Sequence, residues 1–295
     1  MNRRRFLLAS STSWLAWPAS AAEHLPRSVT FIGEDKFRSI AAEAHARRWS
    51  SLPVAERVVR AALRMLDTPY VGFTLEIDDH IESPSVNFKG LDCWTFFETA
   101  LGIARMTRKH QTFYMPEDLL REIEHTRYRD GKCNGNYLDR IHYLDEWFRD
   151  NHARKNVRDI TRDLAPVVPL TGRKIDEMTV LWKSYRYLKN NPDLREGMAR
   201  IEAELQQHPF HYIPKESVAA IEPKLQNGDI IGIVTHKPHV YCSHVGLAIR
   251  VKDSGMHFMH ASASAGKKKV IIDKTVSGYL ADFQSHAGII VARPL

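Results

Sequence analysis

The sequence predicts an α+β fold: a helix opened by a cysteine, packed on a C-terminal antiparallel sheet, with a mostly helical segment inserted between the two. Three observations carry this prediction. Behind the turn Lys89-Gly90-Leu91-Asp92, the residues Trp94, Phe97 and Leu101 recur at helical spacing. From residue 225 onward the pattern changes to five short apolar runs with turn residues between them. Between these regions, apolar residues keep a helical period through 115–150, and a polar helix is expected over 193–206. The chain has 295 residues and is 43% hydrophobic, enough for a full core, and no linker-like composition divides it. We therefore expect one domain over 22–295, with the insertion at about 108–215.

Taken in order, residues 1–21 read as an export signal. Arg3-Arg4-Arg5-Phe6-Leu7 supplies a charged start with a twin-arginine pattern, Phe6 to Trp17 is a short apolar stretch, and Ala19-Ser20-Ala21 is a small-residue cleavage site. The apolar part is too short to span a bilayer. The expectation is an exported, periplasmic protein without an integral membrane segment in the mature chain. Residues 34–66 read as helical, with Phe37, Ile40, Ala41 and Ala44 in one stripe and Val54, Val58, Val59, Ala62 and Met65 in another. The stop is Leu66-Asp67-Thr68-Pro69-Tyr70, since Pro69 disfavours helical geometry at Thr68. Val71 to Ile77 is expected to be extended, and Asp78 to Gly90 to form a polar loop. The core helix then runs from Cys93 to about Arg108. The C-terminal strands are expected at 230–234, 244–251, 256–260, 270–272 and 288–291.

The net charge is +7, and the basic residues are spread along the chain, densest at Lys267-Lys268-Lys269. No nucleic-acid module is recognisable, so nucleic acid is not expected as a partner; an anionic polymer such as a cell wall is compatible with the charge. Three cysteines, Cys93, Cys133 and Cys242, do not make a disulfide framework, although one pair stays open.

The chemistry concentrates in two places. Asp92 is placed to cap the core helix, which puts Cys93 in its first turn, where free N–H groups and the helix dipole favour a thiolate. In Ser243-His244-Val245-Gly246-Leu247-Ala248-Ile249, strand alternation sets His244, Gly246 and Ala248 on one face and Val245, Leu247 and Ile249 on the other. The small residues beside His244 leave room for close packing, for instance by the start of the Cys93 helix. A cysteine nucleophile needs a base, and the base needs a third group to fix its tautomer. His260, on the next strand, is the candidate. A five-residue loop at 251–255 sets it across from Gly246, roughly 7 Å along the strand from His244.

Thr68-Pro69-Tyr70, Leu91-Asp92-Cys93, Ser243-His244-Val245-Gly246 and His260-Ala261-Ser262 occur in an order that resembles NlpC-type, papain-like cell-wall hydrolases. Arg127-Tyr128-Arg129-Asp130-Gly131 and Asp139-Arg140-Ile141-His142-Tyr143 resemble a narrower branch, the N-acetylmuramoyl-L-alanine amidase-like proteins. The resemblance covers most of the mature chain. One departure is Trp94-Thr95 after the cysteine, where the wider superfamily has Ser-Gly. The resemblance implies a papain-like fold, Cys93 as nucleophile, His244 as base and His260 as the orienting residue, with Tyr70 near the oxyanion. It implies acyl transfer on peptidoglycan or muropeptides, at the bond between N-acetylmuramic acid and L-alanine, with no cofactor. Asp92, Trp94, Arg127, Arg129 and Arg140 are expected to meet substrate, the arginines through peptide carboxylates. The alternatives are cleavage within the stem peptide, or a non-catalytic protein that binds wall fragments. A zinc site in His236-x-x-His239-x-x-Cys242-x-His244 has suitable ligand types, but no Cys-x-x-Cys or His-Glu-x-x-His pattern supports it, and no metal is expected.

Overall fold

The computed structural model describes residues 24–295. The expected export signal at 1–21 lies outside them. After a helical turn at Arg27–Thr30 and a two-residue strand, Phe31–Ile32, that pairs in parallel with Val86–Asn87, two longer helices follow. Helix α1 (Glu34–Ala46) buries Phe37, Ile40, Ala41 and Ala44, and α2 (Val54–Leu63) buries Val58, Val59, Ala61 and Ala62. The helical stretch expected over 34–66 is thus two helices, one for each apolar stripe. Arg48 takes a left-handed conformation (φ 47°), a 3-10 turn covers Trp49–Ser51, and Pro53 precedes α2.

The segment 71–77 is not extended, as the sequence had suggested, but turns. Phe73 has a positive φ of 59°. Beyond it, the Thr74 amide (3.2 Å) and hydroxyl (2.9 Å) both donate to Asp92 Oδ2, which ties the loop over the start of the central helix.

That helix, α3 (Cys93–Met106), begins with a full capping box. The Thr95 amide donates to Asp92 Oδ1 (2.8 Å) and the Asp92 amide donates to Thr95 Oγ1 (3.0 Å), so two of the orphan donors at the helix start are satisfied. Every residue from Thr95 to Met106 is buried, as expected of a helix enclosed on all sides. Helix α4 (Pro116–Arg127), with proline at its first position, packs on α3; α5 (Leu144–Ala153) and α6 (Leu194–Gln206) follow.

The sheet has eight strands among the described residues. They are β1 (Val157–Asp159), β2 (Val168–Pro169), β3 (His211–Pro214), β4 (Ile230–Thr235), β5 (Cys242–Val251), β6 (Gly255–Ala261), β7 (Val270–Thr275) and β8 (His286–Pro294). The order is β2-β3-β8-β4-β5-β6-β7, with β1 also on β8, and every pairing is antiparallel. Five strands correspond to the five apolar runs of the sequence. The other three arise inside 108–215, so that segment is helical in its middle but stitched into the main sheet. Their short lengths carry too few residues for a period-2 signal. Between β7 and β8 a short helix, α7 (Val276–Ala281), covers one face.

The two faces of the sheet bury separate apolar layers. Val245, Leu247 and Ile249 pack with Phe96, Phe97 and Leu101 of α3, while Ala248 packs with Phe258, Val276, Tyr279 and Leu280. The small face of β5 therefore does not receive the Cys93 helix, as the sequence had suggested. It receives Phe258 and α7. A Cβ at Gly246 would lie 2.5 Å from the Met259 carbonyl oxygen and 2.7 Å from the Phe258 ring, so only glycine fits there.

Candidate active site

A cleft of about 290 Å³ opens where the start of α3 meets β5. Its walls include Tyr70, Asp92, Cys93, Trp94, Cys242 and His244; the helical segment contributes Glu177, Met178 and Tyr185. Cys93 is held at one edge by the Asp92 cap. Backbone hydrogen bonding from Val245, the residue after His244, reaches its sulfur, so the helix start and the strand meet at the thiol. Tyr70 reaches the same place from a different part of the chain. Its residue bridges Leu91 and its amide donates to the Lys268 carbonyl (2.9 Å).

The thiol does not behave as the helix start alone suggests. Burial, with the Asp92 carboxylate adding to it, pushes Cys93 up to about 12; the amides of Val245, Trp94 and Cys93 oppose this and lose. His244 is driven the other way. Burial, then His260 and His286, hold its imidazole well below the usual value. Both shifts favour neutral thiol and neutral imidazole over thiolate and imidazolium.

The β5–β6 register runs through Leu247↔Met259, Ala248↔Phe258 and Ile249↔His257. Continued by one residue it sets His260 across from Gly246, the register that the five-residue loop implies. The two histidines touch, with His244 Nε2 2.7 Å from His260 Nδ1. The other nitrogen of His260 lies 3.3 Å from Asp273 Oδ2, and Lys267 Nζ donates to the same oxygen (2.7 Å). His260 is 1% exposed, and burial holds it below its ordinary value against the pull of Asp273. Asp273 stays ionised: burial opposes this, but Lys267, the Lys274 amide and His260 together keep it below the usual carboxylate range. Nε2 of His244 is thus engaged by His260, and His244 lines the same cleft as Cys93.

A family model described as N-acetylmuramoyl-L-alanine amidase-like matches residues 60–289, a span that contains all of these groups. The chain belongs to this family. A crystal structure of an N-acetylmuramoyl-L-alanine amidase from Bacteroides uniformis is 30% identical and superposes with a TM-score of 0.72, covering 82% of this chain and 98% of that one. A Bacteroides fragilis structure provisionally described as a xylanase is 34% identical with a TM-score of 0.68, over 80% and 99%. Protein LPG0564 of Legionella pneumophila shares the fold at 19% identity and a TM-score of 0.64, over 89% and 95%. No curated protein sequence matches.

Within this amidase-like chain, several residues expected at the substrate have other work. Arg127 is fully enclosed and pairs with Glu98, also fully enclosed, at 2.7 Å. It cannot meet a substrate carboxylate. Arg129 forks onto Glu146 (2.6 and 2.8 Å) and also donates to the Arg140 carbonyl; it does not line the cleft. Arg140 does border the cleft, but its guanidinium is 3% exposed and bonds Glu82 (3.2 Å), Glu76 (3.4 Å) and the Leu75 carbonyl (3.1 Å). Burial would lower it, and those carboxylates hold it above its usual value. The three arginines brace the loop 75–85 and the helical segment. Asp92 lines the cleft, but both its oxygens are consumed by Thr74 and Thr95, which makes it a helix cap.

Trp94 lines the cleft beside Cys93 with its ring against Phe97 (5.7 Å), and Tyr70 faces it. The histidine-rich run before β5 spreads apart. His239 bonds Asp176 (2.5 Å) and His244 bonds His260, and no three acidic, histidine or cysteine side chains converge to hold a metal among the described residues. Cys93, Cys133 and Cys242 are all free.

Two functional neighbours escaped the sequence reading. Asp273 follows Val270-Ile271-Ile272 inside β7, and a carboxylate directly after an apolar run on the strand beside His260 is the signal that was there to find. Tyr279 of α7 packs its ring 5.1 Å from His260 and 6.1 Å from His244; no motif marks it.

Proposed function

We propose that this protein is a cysteine amidase that hydrolyses the lactyl amide between N-acetylmuramic acid and L-alanine in peptidoglycan or its fragments, on a papain-like NlpC-type fold. The observation that carries the reading is the meeting of Cys93 and His244 at one cleft, with the far nitrogen of His244 engaged by His260. Cys93 Sγ attacks the carbonyl carbon and its proton passes to His244 Nδ1. The Cys93 amide and the Tyr70 hydroxyl stabilise the oxyanion. Burial raises Tyr70 to about 12, so it stays protonated and able to donate. The C–N bond then breaks and His244 returns the proton to the departing L-alanine nitrogen. In the second half His244 takes a proton from water, hydroxide displaces the thiolate from the thioester, and the proton returns to sulfur. Because thiol and imidazole rest neutral, proton transfer accompanies attack, as in a serine hydrolase. The family supports the lactyl bond over cleavage within the stem peptide, and a wall substrate fits an exported protein.

The second reading is glycoside hydrolysis. Glu76 and Glu177 both line the cleft, and one similar structure carries a xylanase description. That chemistry needs two available carboxyl groups flanking the bond. Glu76 is occupied on both oxygens, by Tyr137 (2.8 Å) and the Arg186 amide (2.5 Å). The amidase reading is therefore favoured.

Liquid chromatography with mass detection of disaccharide-peptides tests it. Wild-type protein is expected to release stem peptide with L-alanine at its amino terminus, and Cys93→Ala to release none. Full activity in Cys93→Ala, or cleavage of xylan, would remove the proposal.

A further inference from the structure

The line of groups behind His244 is longer than nucleophile, base and orienting residue require. It runs His244, His260, Asp273, Lys267, with contacts of 2.7, 3.3 and 2.7 Å. A neutral imidazole carries one N–H, so each ring in the line must donate on one side and accept on the other. The direction is therefore set at the end that has no choice. That end is Asp273. An ionised carboxylate only accepts, so His260 must carry its proton on Nε2 and leave Nδ1 bare. Bare Nδ1 in turn accepts from His244, which must carry its own proton on Nε2. The single lone pair left on the line is then Nδ1 of His244, a residue that lines the same cleft as Cys93.

We propose that Asp273 is the positioning residue that sets the tautomer of both histidines through this line and leaves the Nδ1 lone pair of His244 free to take the Cys93 proton. The inference rests on the amidase reading only for the use of that lone pair; the tautomers themselves are a property of the folded protein. Lys267 keeps Asp273 an acceptor by holding it ionised. Burial of both imidazoles keeps them neutral, the state in which a tautomer has meaning. Without Asp273 the opposite arrangement is equally well hydrogen-bonded internally: His260 donates from Nδ1, His244 accepts on Nε2, and His244 presents an N–H to sulfur where a base is needed.

Asp273→Asn is a directed perturbation here. Asp273 Oδ1 already accepts the Lys274 amide at 2.9 Å. An asparagine that keeps its oxygen there turns its NH₂ toward His260 Nε2, the half-exposed Lys267 ammonium swinging out into solvent, and this favours the reversed line. Asp273→Glu restores an acceptor.

The test is long-range ¹⁵N–¹H correlation on protein labelled at histidine, with His244 and His260 among the 15 histidines assigned by single replacement. In the wild type both residues are expected to carry the proton on Nε2. In Asp273→Asn both protons move to Nδ1, and kcat on muropeptide falls by roughly 100-fold or more while KM and melting temperature hold; Asp273→Glu recovers the wild-type tautomers and part of kcat. An Nδ1 proton on His244 in the wild type, or tautomers unchanged in Asp273→Asn, overturns the proposal. The spectrum needs no substrate, so a failed amidase reading shows separately, as absent turnover with the tautomers in place.

Discussion

Replacing Arg127 with methionine separates a structural arginine from a substrate-binding one. Arg127 and Glu98 are each wholly inaccessible, and Arg127 Nε donates to Glu98 Oε2 at 2.7 Å. Arg127 Nη1 also donates to the Ser85 carbonyl (3.1 Å), and Trp147 Nε1 donates to Glu98 (3.2 Å). Methionine keeps most of the volume but leaves Glu98 buried without a cation. Removing one partner of such a pair costs about 3–5 kcal/mol. At roughly 2–4 °C per kcal/mol for a chain of this size, the melting temperature should fall by about 6–20 °C. Burial already pushes Glu98 upward against the pull of Arg127, so without the arginine it is expected to fold protonated. Part of the loss should therefore return on lowering the pH. The double variant Arg127→Met with Glu98→Leu should recover much of the loss, because two apolar side chains replace both charges. The assay is calorimetry or fluorescence melting beside muropeptide kinetics at a temperature where the variant is folded. A melting temperature within 2 °C of wild type, together with a raised KM, would return Arg127 to the substrate.

Alkylation of Cys93 by iodoacetamide, read by peptide mass, should rise about tenfold per pH unit from 6 to 9 with no plateau at acid pH, since the thiol is pushed up to about 12; a plateau near pH 5 would reveal a thiolate–imidazolium pair instead. Gly246→Ala should unfold the protein or cost more than about 2 kcal/mol in urea titration, because its Cβ would overlap the Met259 carbonyl and the Phe258 ring; wild-type stability would show that β5 and β6 can part. His286 is held near 4, chiefly by burial and then by Lys215 and Lys237. A histidine whose folded value lies below its unfolded one stabilises the protein above pH 6.5, and that contribution is lost as pH falls toward 4. His286→Asn should flatten this part of the urea-midpoint profile by about 1–2 kcal/mol, allowing for solvent screening; identical profiles would place the acid sensitivity elsewhere.

Much of this architecture is written locally. Asp92 and Thr95 stand at capping positions, so the start of α3 is readable from four residues. The alternation in Val245, Leu247 and Ile249 marks a strand with one face on the helix, and the turn around Asp253 fixes the register that brings His260 to Gly246. What sequence hides is what depends on partners far along the chain. Arg127, Arg129 and Arg140 read as free cations because Glu98, Glu146 and Glu82 are 17 to 58 residues away. The thiol was expected to be acidic from its helix start alone, but burial, with the Asp92 carboxylate adding to it, overrides this. The strands β1 to β3 owe their existence to pairing with β8 and with one another, not to any local period. Asp273 gains meaning only once His260 is known to lie beside it.

In the proposed mechanism Cys93 carries the lactyl acyl group. Turnover of a defined N-acetylmuramoyl peptide in H₂¹⁸O, stopped in acid and analysed by intact-protein and product mass, tests it most directly. A covalent adduct of the muramoyl moiety is expected on the peptide containing Cys93, with one ¹⁸O in the lactyl carboxylate of the released sugar and none in the L-alanine peptide. Label in a peptide carboxylate, or turnover in Cys93→Ala without any adduct, would contradict it.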